Sequence, residues 1–286
     1  MRTFPAIFRS LLVVSMILPA ALIARADSHT EAAPRPSHPS KVTDLNRQDE
    51  GDADHLSPML ERVIELTNRV RLKVGLPALK RQRNLNTSAS WLARDMAARR
   101  YFDHHDSTGR GMPERISAFK YDEYSALGEN IAMGQRTPDE VVDGWMNSPG
   151  HRANILSRNF SEIGVGYVPA SGHGAAGYWV QDFGARFDQC PIVIDTDCSV
   201  TASSQVKLSI HGGDSVQRMR FSNDGARWTG WEEFRPLRDW VLEAGTGKRT
   251  VFIEIMQDDH VQRIAAAVTV ETPPHSTATA SLTRSR

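Results

Sequence analysis

The 286-residue sequence has only two cysteines, Cys190 and Cys198, and no excess of charge of either sign. A zinc ribbon needs four ligands in paired Cys-x-x-Cys-like sets, so two cysteines at this spacing exclude one. With 34 basic and 34 acidic side chains, no overall field attracts nucleic acid. The content of 40% hydrophobic and 24% charged residues is typical of a globular protein. The composition therefore predicts folded domains without a nucleic-acid partner.

Long apolar runs are absent except near the N-terminus. Leu11–Ile23 is apolar but shorter than the roughly 20 residues that span a bilayer as a helix. Arg2 and Arg9 flank it on one side, and Ala24-Arg25-Ala26 follows with the small-x-small pattern of a cleavage site. We therefore expect a signal peptide over residues 1–26 and export to the periplasm or the extracellular medium, with no transmembrane segment after cleavage. An uncleaved anchor is the alternative.

Helical periodicity dominates the first half of the chain after a polar, Pro-, Ser- and His-rich stretch at 27–55, which predicts a disordered linker. Ser57-Pro58 is a helix-start signal, and Thr137-Pro138-Asp139-Glu140 is a capping box. Further apolar patterns predict a helix near 86–100 and strands over 162–168 and 178–183. Helices followed by strands predict an α+β domain over residues 56–187.

The pattern becomes all-β from about residue 200. Val206–Ile210 alternates with period two, and Asn223-Asp224-Gly225 is a turn signal. Short strands at this spacing predict a small β-sandwich over residues 200–272, followed by a disordered tail over 273–286. The intervening residues 188–199 are expected to be a linker. Export would favour a disulfide between its two cysteines, Cys190 and Cys198, and two thiols are the alternative.

Four polar residues are the candidates for chemistry: His104, Glu129, His151 and Glu162. Each is expected at the end of a secondary-structure element. Two imidazoles and two carboxylates suit zinc or another divalent cation, and equally a general base. A structural hydrogen-bond network that orients loops is the alternative. Since the sequence contains no HExxH, no GxSxG and no Cys–His nucleophile arrangement, no standard hydrolase motif supports an enzyme.

Six segments of the first half of the chain follow one another in a distinctive order. They are LTNRVRLKVGLPAL, DMAARRYFDHHDSTGR, LGENIAMG, VVDGWMNSPGHRANIL, FSEIGVGYV and YWVQDFGAR. In this order they resemble the CAP superfamily, also called the SCP domain, and most closely its bacterial branch. Members include cysteine-rich secretory proteins, insect antigen 5 and plant pathogenesis-related proteins. The resemblance implies an α-β-α sandwich with an open cleft.

Two His and two Glu often line the cleft in that family, and in some members they bind a divalent metal. By resemblance, His104 corresponds to the His of F-x-H and Glu129 to the Glu of GEN. His151 corresponds to the His of S-P-G-H-R, and Glu162 to the Glu of E-I-G-V-G. His105 is the neighbouring competitor of His104. The resemblance thus implies a divalent cation, with zinc the best match, and no other cofactor.

The family has no agreed common reaction, because proteolysis is proposed for some members and sterol or lipid binding for others. We therefore hypothesise a binding protein for a lipid or sterol, or for an envelope or extracellular protein. A metal-dependent hydrolase using the same cleft is the first alternative. The second is an adhesive or structural protein acting through the β-sandwich. That sandwich resembles small immunoglobulin-like modules of bacterial exported proteins through MRFSNDGARWTGWEEF and WVLEAGTGKRTVFIEIMQDD. The oligomeric state stays open.

Overall fold

The computed structural model separates into two compact units, residues 1–189 (unit 1) and 190–286 (unit 2). The expected linker at 27–55, the tail at 273–286 and most of the expected signal peptide lie outside the described residues. Within the described part, no helix is long and apolar enough to cross a membrane. The described ranges are 17–19, 56–169, 177–187, 189–213, 216–257 and 260–272.

Local signals in the sequence set the helix ends of unit 1. Helix α1 begins at Pro58, directly after Ser57, and the Thr137 side chain caps α4 by accepting a hydrogen bond from the Glu140 amide at 3.2 Å. Helix α2 ends at Arg99 and is followed by the C-cap Arg100, whose φ of 58° is left-handed. Helix α4 ends at Asn147, and Pro149 starts the next helix, α5. The helices are α1 (Pro58–Lys73), α2 (Arg83–Arg99), α3 (Met112–Ala118), α4 (Pro138–Asn147) and α5 (Pro149–Ile155).

One five-stranded sheet forms the middle of unit 1, in the order β1-β3-β5-β4-β2. Its pairs are antiparallel except β2 with β4. The expected α+β class is confirmed, although β3 lies between helices α3 and α4 along the chain. The strands are β1 (Ile17–Pro19), β2 (Lys80–Arg81), β3 (Tyr124–Met133), β4 (Glu162–Val168) and β5 (Tyr178–Arg186).

Helices cover both faces of this sheet, which gives the α-β-α sandwich that the resemblance implied. On one face, α2 packs so closely on β4 that a Cβ at Gly164 would lie 2.2 Å from the backbone of Leu85. On the opposite face, Trp145 of α4 and residues of α1 pack with Phe183 in a second buried cluster. The glycine fixes the distance between α2 and the sheet, and α2 leads into the loop that carries His104.

Unit 2 is entirely β within its described residues. Its five-stranded sheet has the order β10-β9-β12-β13-β7, and its three-stranded sheet has the order β11-β8-β6. Both sheets contribute to one apolar core, for example Leu208 from the small sheet and Phe221 from the large one. The strands are β6 (Ile192–Ile194), β7 (Val200–Thr201), β8 (Gln205–Ile210), β9 (Val216–Ser222), β10 (Glu232–Glu233), β11 (Leu237–Val241), β12 (Gly247–Gln257) and β13 (His260–Val270).

Within the linker expected over residues 188–199, the described residues 189–199 include a strand. Ile192–Ile194 forms strand β6, pairs with β8 and is buried in the core of unit 2, because its three consecutive apolar residues have that core to fill. The expected disulfide is not formed either: Cys190 is buried, Cys198 is exposed, and no bond joins them. Cys190 belongs to the core cluster, whereas Cys198 follows the turn after β6.

Candidate functional site

His104 lies in the loop between α2 and α3, and two carboxylates hold this loop in place. Asp95 of α2 accepts hydrogen bonds from the Ser107 amide at 2.8 Å and from the Tyr101 hydroxyl at 2.6 Å. Asp106 accepts from the amides of Thr108 and Arg110, at 2.8 and 3.0 Å. Burial tends to raise the pKa of both carboxyls, but these hydrogen bonds outweigh it and hold each pKa below its ordinary value. The loop is thus ordered by charged, hydrogen-bonded groups.

Glu129 connects His104 to a buried arginine. It lies in the middle of β3 rather than at an element's end, and its Oε1 is 2.7 Å from His104 Nδ1. Its other oxygen accepts a hydrogen bond from Arg115 of α3, which also donates to the His104 carbonyl at 3.0 Å. Burial raises the pKa of Glu129, but the Arg115 charge and the His104 contact outweigh burial, so its pKa lies below the ordinary value. Glu129 is therefore ionised and fixes the His104 ring.

His151 is the second imidazole of the site. It lies in the first turn of α5 and is 7% exposed. Burial, and to a lesser extent the electrostatic effect of nearby His104, lower the pKa of His151 to about 4, so the His151 ring is neutral at physiological pH. The Nε2 atoms of His104 and His151 are both buried, and neither has a hydrogen-bond partner among the described residues.

Glu162 does not join the other three candidates. It begins β4, and its carboxylate accepts hydrogen bonds from the Tyr121 hydroxyl at 2.7 Å and from Arg186 Nη2 at 2.7 Å and Nε at 3.0 Å. Both of its oxygens are thereby used. Within the described ranges, no group of three or more His, Cys, Asp or Glu side chains is arranged to hold a metal ion. The structure thus brings His104, Glu129 and His151 into one neighbourhood and leaves Glu162 in a separate ion pair.

Asp182 was not among the candidates from the sequence, and it lies on β5 next to this cluster. It is the register partner of Glu129, is fully buried, and lies 3.8 Å from Arg115. Burial and the negative charge of Glu129 raise the pKa of Asp182 well above its ordinary value. A carboxylate in the middle of the apolar strand YWVQDFGAR was the available signal. Arg115 was also missed, because a single arginine in a short helix carries no local signal of burial.

An amide network fixes α5 against β3. Asn130 Nδ2 donates to the His151 carbonyl at 3.2 Å and to Gln181 Oε1 at 3.1 Å. Asn154 Nδ2 donates to the Glu129 carbonyl at 3.1 Å and to Asn130 Oδ1 at 2.9 Å. Gln181 in turn donates to Thr67 of α1 at 2.9 Å. This network is buried and sets the position of His151 relative to Glu129.

A cavity of about 200 Å³ opens beside His104. His104 and Glu129 form one side of the cavity, and the first turn of α3 forms another side. The His104 imidazole therefore borders a cavity that is partly apolar. His105, the competitor of His104, lines the same cavity, but its Nδ1 contacts exposed Asp103 at 3.1 Å rather than Glu129. The lining residues are His104, His105, Gly111, Met112, Pro113, Glu114 and Glu129.

Comparison with known proteins agrees with this architecture. The model of the cysteine-rich secretory protein family, CAP, matches residues 64–183. Residues 64–183 form a CAP domain. Over 123 residues the chain is 45% identical to YkwD of Bacillus subtilis (strain 168), an uncharacterized protein, covering 43% of this chain and 46% of YkwD. The Golgi-associated plant pathogenesis-related protein 1 of Homo sapiens is 29% identical over 119 residues, which cover 41% of this chain and 63% of that protein.

Among solved structures, an extracellular protein containing an SCP domain from Bacillus anthracis str. Ames is 28% identical. The likeness covers 46% of this chain and 44% of that chain, with a TM-score of 0.40. The chain spans less than two thirds of the length of each of these relatives.

Proposed function

We propose that the CAP domain is an exported binding domain whose cleft holds a divalent cation between His104 and His151. The observation that carries this proposal is the pair of buried Nε2 atoms without a hydrogen-bond partner among the described residues. A buried polar atom left without a partner costs about 1–3 kcal/mol, so two such atoms in one site favour a ligand that both can bind. A neutral imidazole nitrogen is the commonest protein ligand for zinc and similar ions.

The arrangement behind His104 supports the same role. A metal-ligating histidine usually donates its second ring N–H to a carboxylate, which fixes the tautomer and orients the ring. Glu129 stands in that relation to His104, and Arg115 holds Glu129 in turn. In this proposal His104 and His151 are the ligands and Glu129 is the orienting carboxylate. Glu162 takes no part, because Tyr121 and Arg186 occupy its oxygens.

A cation held by two imidazoles keeps open positions for water or a ligand oxygen, and it would supply Lewis acidity there. The partly apolar cavity beside His104 supports a partner that combines such an oxygen with a small apolar group, as a lipid or a protein side chain can. Hydrolysis is less well supported. Of the two carboxylates proposed as bases, Glu129 is held by Arg115 and His104, and Glu162 by Tyr121 and Arg186. Neither is placed to activate water.

Export and the nature of unit 2 are also part of the proposal. The basic, apolar and small-residue segments of residues 1–26 support a signal peptide. Two sheets that share one core support an immunoglobulin-like module for unit 2.

The test is zinc binding by calorimetry on residues 27–286. We expect stoichiometric binding by the wild type and its loss in the His104→Ala/His151→Ala double variant. His105→Ala is the matched control, because His105 lines the same cavity without contacting Glu129. Glu162→Gln should also bind zinc normally if the ligand set is the two histidines. Absence of binding to the wild type, or unchanged binding in the double variant, would refute the cation site.

A further inference from the structure

A cavity of about 370 Å³ lies in unit 2 at the end of β9, beside the loop that leads to β10. Trp228 of this loop and Trp240 of β11 both line the cavity, and both side chains are half-buried. Among the described residues, no ring contact joins these two tryptophans, so they belong to separate parts of its wall. The volume is within the range of roughly 300–1,000 Å³ that is typical of small-molecule sites. Two tryptophans around such a cavity favour a ligand with apolar faces.

Both tryptophan rings are held in position by other side chains of unit 2. The Trp240 indole N–H donates a hydrogen bond to Asn223 Oδ1 at 2.8 Å. The guanidinium groups of Arg220 and Arg263 lie 5.2 and 4.8 Å from the centre of the Trp228 ring, which is within cation–π distance. Because the rings are already ordered, little conformational entropy is lost when a ligand packs against them.

The polar rim of the cavity, formed by Asp224, Arg227 and Glu243, offers both hydrogen-bond acceptors and donors. The Glu243 side chain is exposed, and no described residue donates a hydrogen bond to its carboxylate. Arg227 donates through Nε to Asp224 at 2.8 Å, and no described residue accepts a hydrogen bond from its two terminal nitrogens. A sugar hydroxyl both donates and accepts, so a polyhydroxylated ligand can use the carboxylate and the guanidinium together.

The charges around the cavity favour a neutral ligand. An anion would meet the carboxylates of Asp224 and Glu243, and a cation would meet Arg227. The Trp228 ring already lies against two guanidinium groups, which oppose a further cation on that ring. We propose that the cavity binds a neutral oligosaccharide. The C–H faces of its pyranose rings pack on Trp228 and Trp240, and its hydroxyl groups form hydrogen bonds with the polar rim.

The first test is calorimetric titration of the full chain with maltohexaose, cellohexaose and chitohexaose in turn. These three neutral hexasaccharides differ in linkage or in their acetamido groups, so they distinguish the possible source polymers. We expect saturable binding of at least one probe, and a Kd at least about tenfold higher in Trp228→Ala. Trp231→Ala is the matched control, because Trp231 also lies against Arg220, at 4.7 Å, but does not line the cavity. No binding of any probe, or equal affinities of the two variants, would overturn the proposal.

A second pair of variants tests the polar rim and leaves both tryptophans in place. Glu243→Ala should raise the Kd of the same probe about tenfold, because a hydrogen bond to a charged group is lost. Glu233→Ala, at another exposed position of unit 2 but outside this cavity, is the matched control and should bind like the wild type. Choline is the competing probe, since aromatic side chains also bind quaternary ammonium groups. Binding of choline in place of the sugars, or equal affinities of the two glutamate variants, would overturn the proposal.

Discussion

Replacing Asp182 with asparagine should stabilise the protein, and by more as the pH rises. Asp182 is fully buried beside Glu129, and burial together with that negative charge raises its pKa well above the ordinary value. At pH values between the ordinary Asp pKa of about 3.9 and the raised pKa of Asp182, the unfolded chain has released this proton while the folded chain keeps it. The free energy of unfolding therefore falls as the pH rises, by about 1.4 kcal/mol per pH unit while Asp182 remains protonated. Asparagine has nearly the same shape and does not titrate.

The assay is urea denaturation of the wild type and Asp182→Asn between pH 6.5 and 8.5. If Asp182 keeps its proton throughout this range, the difference in free energy of unfolding between Asp182→Asn and the wild type increases by up to about 2.7 kcal/mol over these two pH units. Asp143→Asn, a substitution at an exposed position of α4, is the control and should leave the pH dependence as in the wild type. Parallel pH profiles for the wild type and Asp182→Asn, or a less stable variant, would refute the reasoning.

Three further substitutions test other parts of the structure. Arg115→Met should lower the free energy of unfolding by about 3–5 kcal/mol, because it leaves Glu129 as a buried unpaired charge. Urea denaturation of the double variant Arg115→Met/Glu129→Gln should show that part of this loss is recovered. If no stability is recovered, the ion-pair argument is wrong. Gly164→Ala should cost several kcal/mol or prevent folding, because its Cβ would overlap the α2 backbone; a thermal midpoint equal to the wild type would show that α2 can move away. In metal-free buffer, the lowered pKa of His151 predicts stability that is lost as the pH falls from 6.5 towards 4. A pKa change from 6.5 to about 4 corresponds to a loss of about 3 kcal/mol in the free energy of unfolding, which solvent access reduces to about 1–2 kcal/mol. The His151→Asn variant should lose less free energy of unfolding than the wild type over the same pH range. An equal loss in both proteins would exclude His151 as its source.

The helix ends and much of the strand pattern could be predicted from the sequence, because they depend on residues that are close in sequence. Thr137 caps α4 through a residue three positions away, and Pro58 starts α1 where its missing N–H costs nothing. Strand β3 was harder to predict, since its middle carries Glu129 and Asn130 in place of regular alternation. Their polarity is explained only by partners from other elements, namely Arg115 of α3 and His151 of α5.

The site residues also divide into those that sequence motifs predict and those whose role depends on tertiary contacts. The order of motifs led to His104, Glu129 and His151, which the fold brings into one neighbourhood. Glu162 has the same residue type and similar motif support, yet its partners Tyr121 and Arg186 lie 41 and 24 residues away in sequence. Both carboxylates are paired with an arginine, and no local pattern shows that Glu129 also contacts His104 whereas Glu162 contacts Tyr121. That difference arises from tertiary contacts alone.

The amide network behind the site has a consequence for how the cleft responds to its surroundings. Thr67, Asn130, Asn154 and Gln181 carry no group that gains or loses a proton in the physiological range. The parts that hold α5 against the sheet are therefore insensitive to acidity, while His151 on the same helix gains a positive charge as the pH falls to about 4. Position and charge are controlled by separate sets of side chains. The cleft can thus alter its electrostatic character with pH while its walls stay where they are.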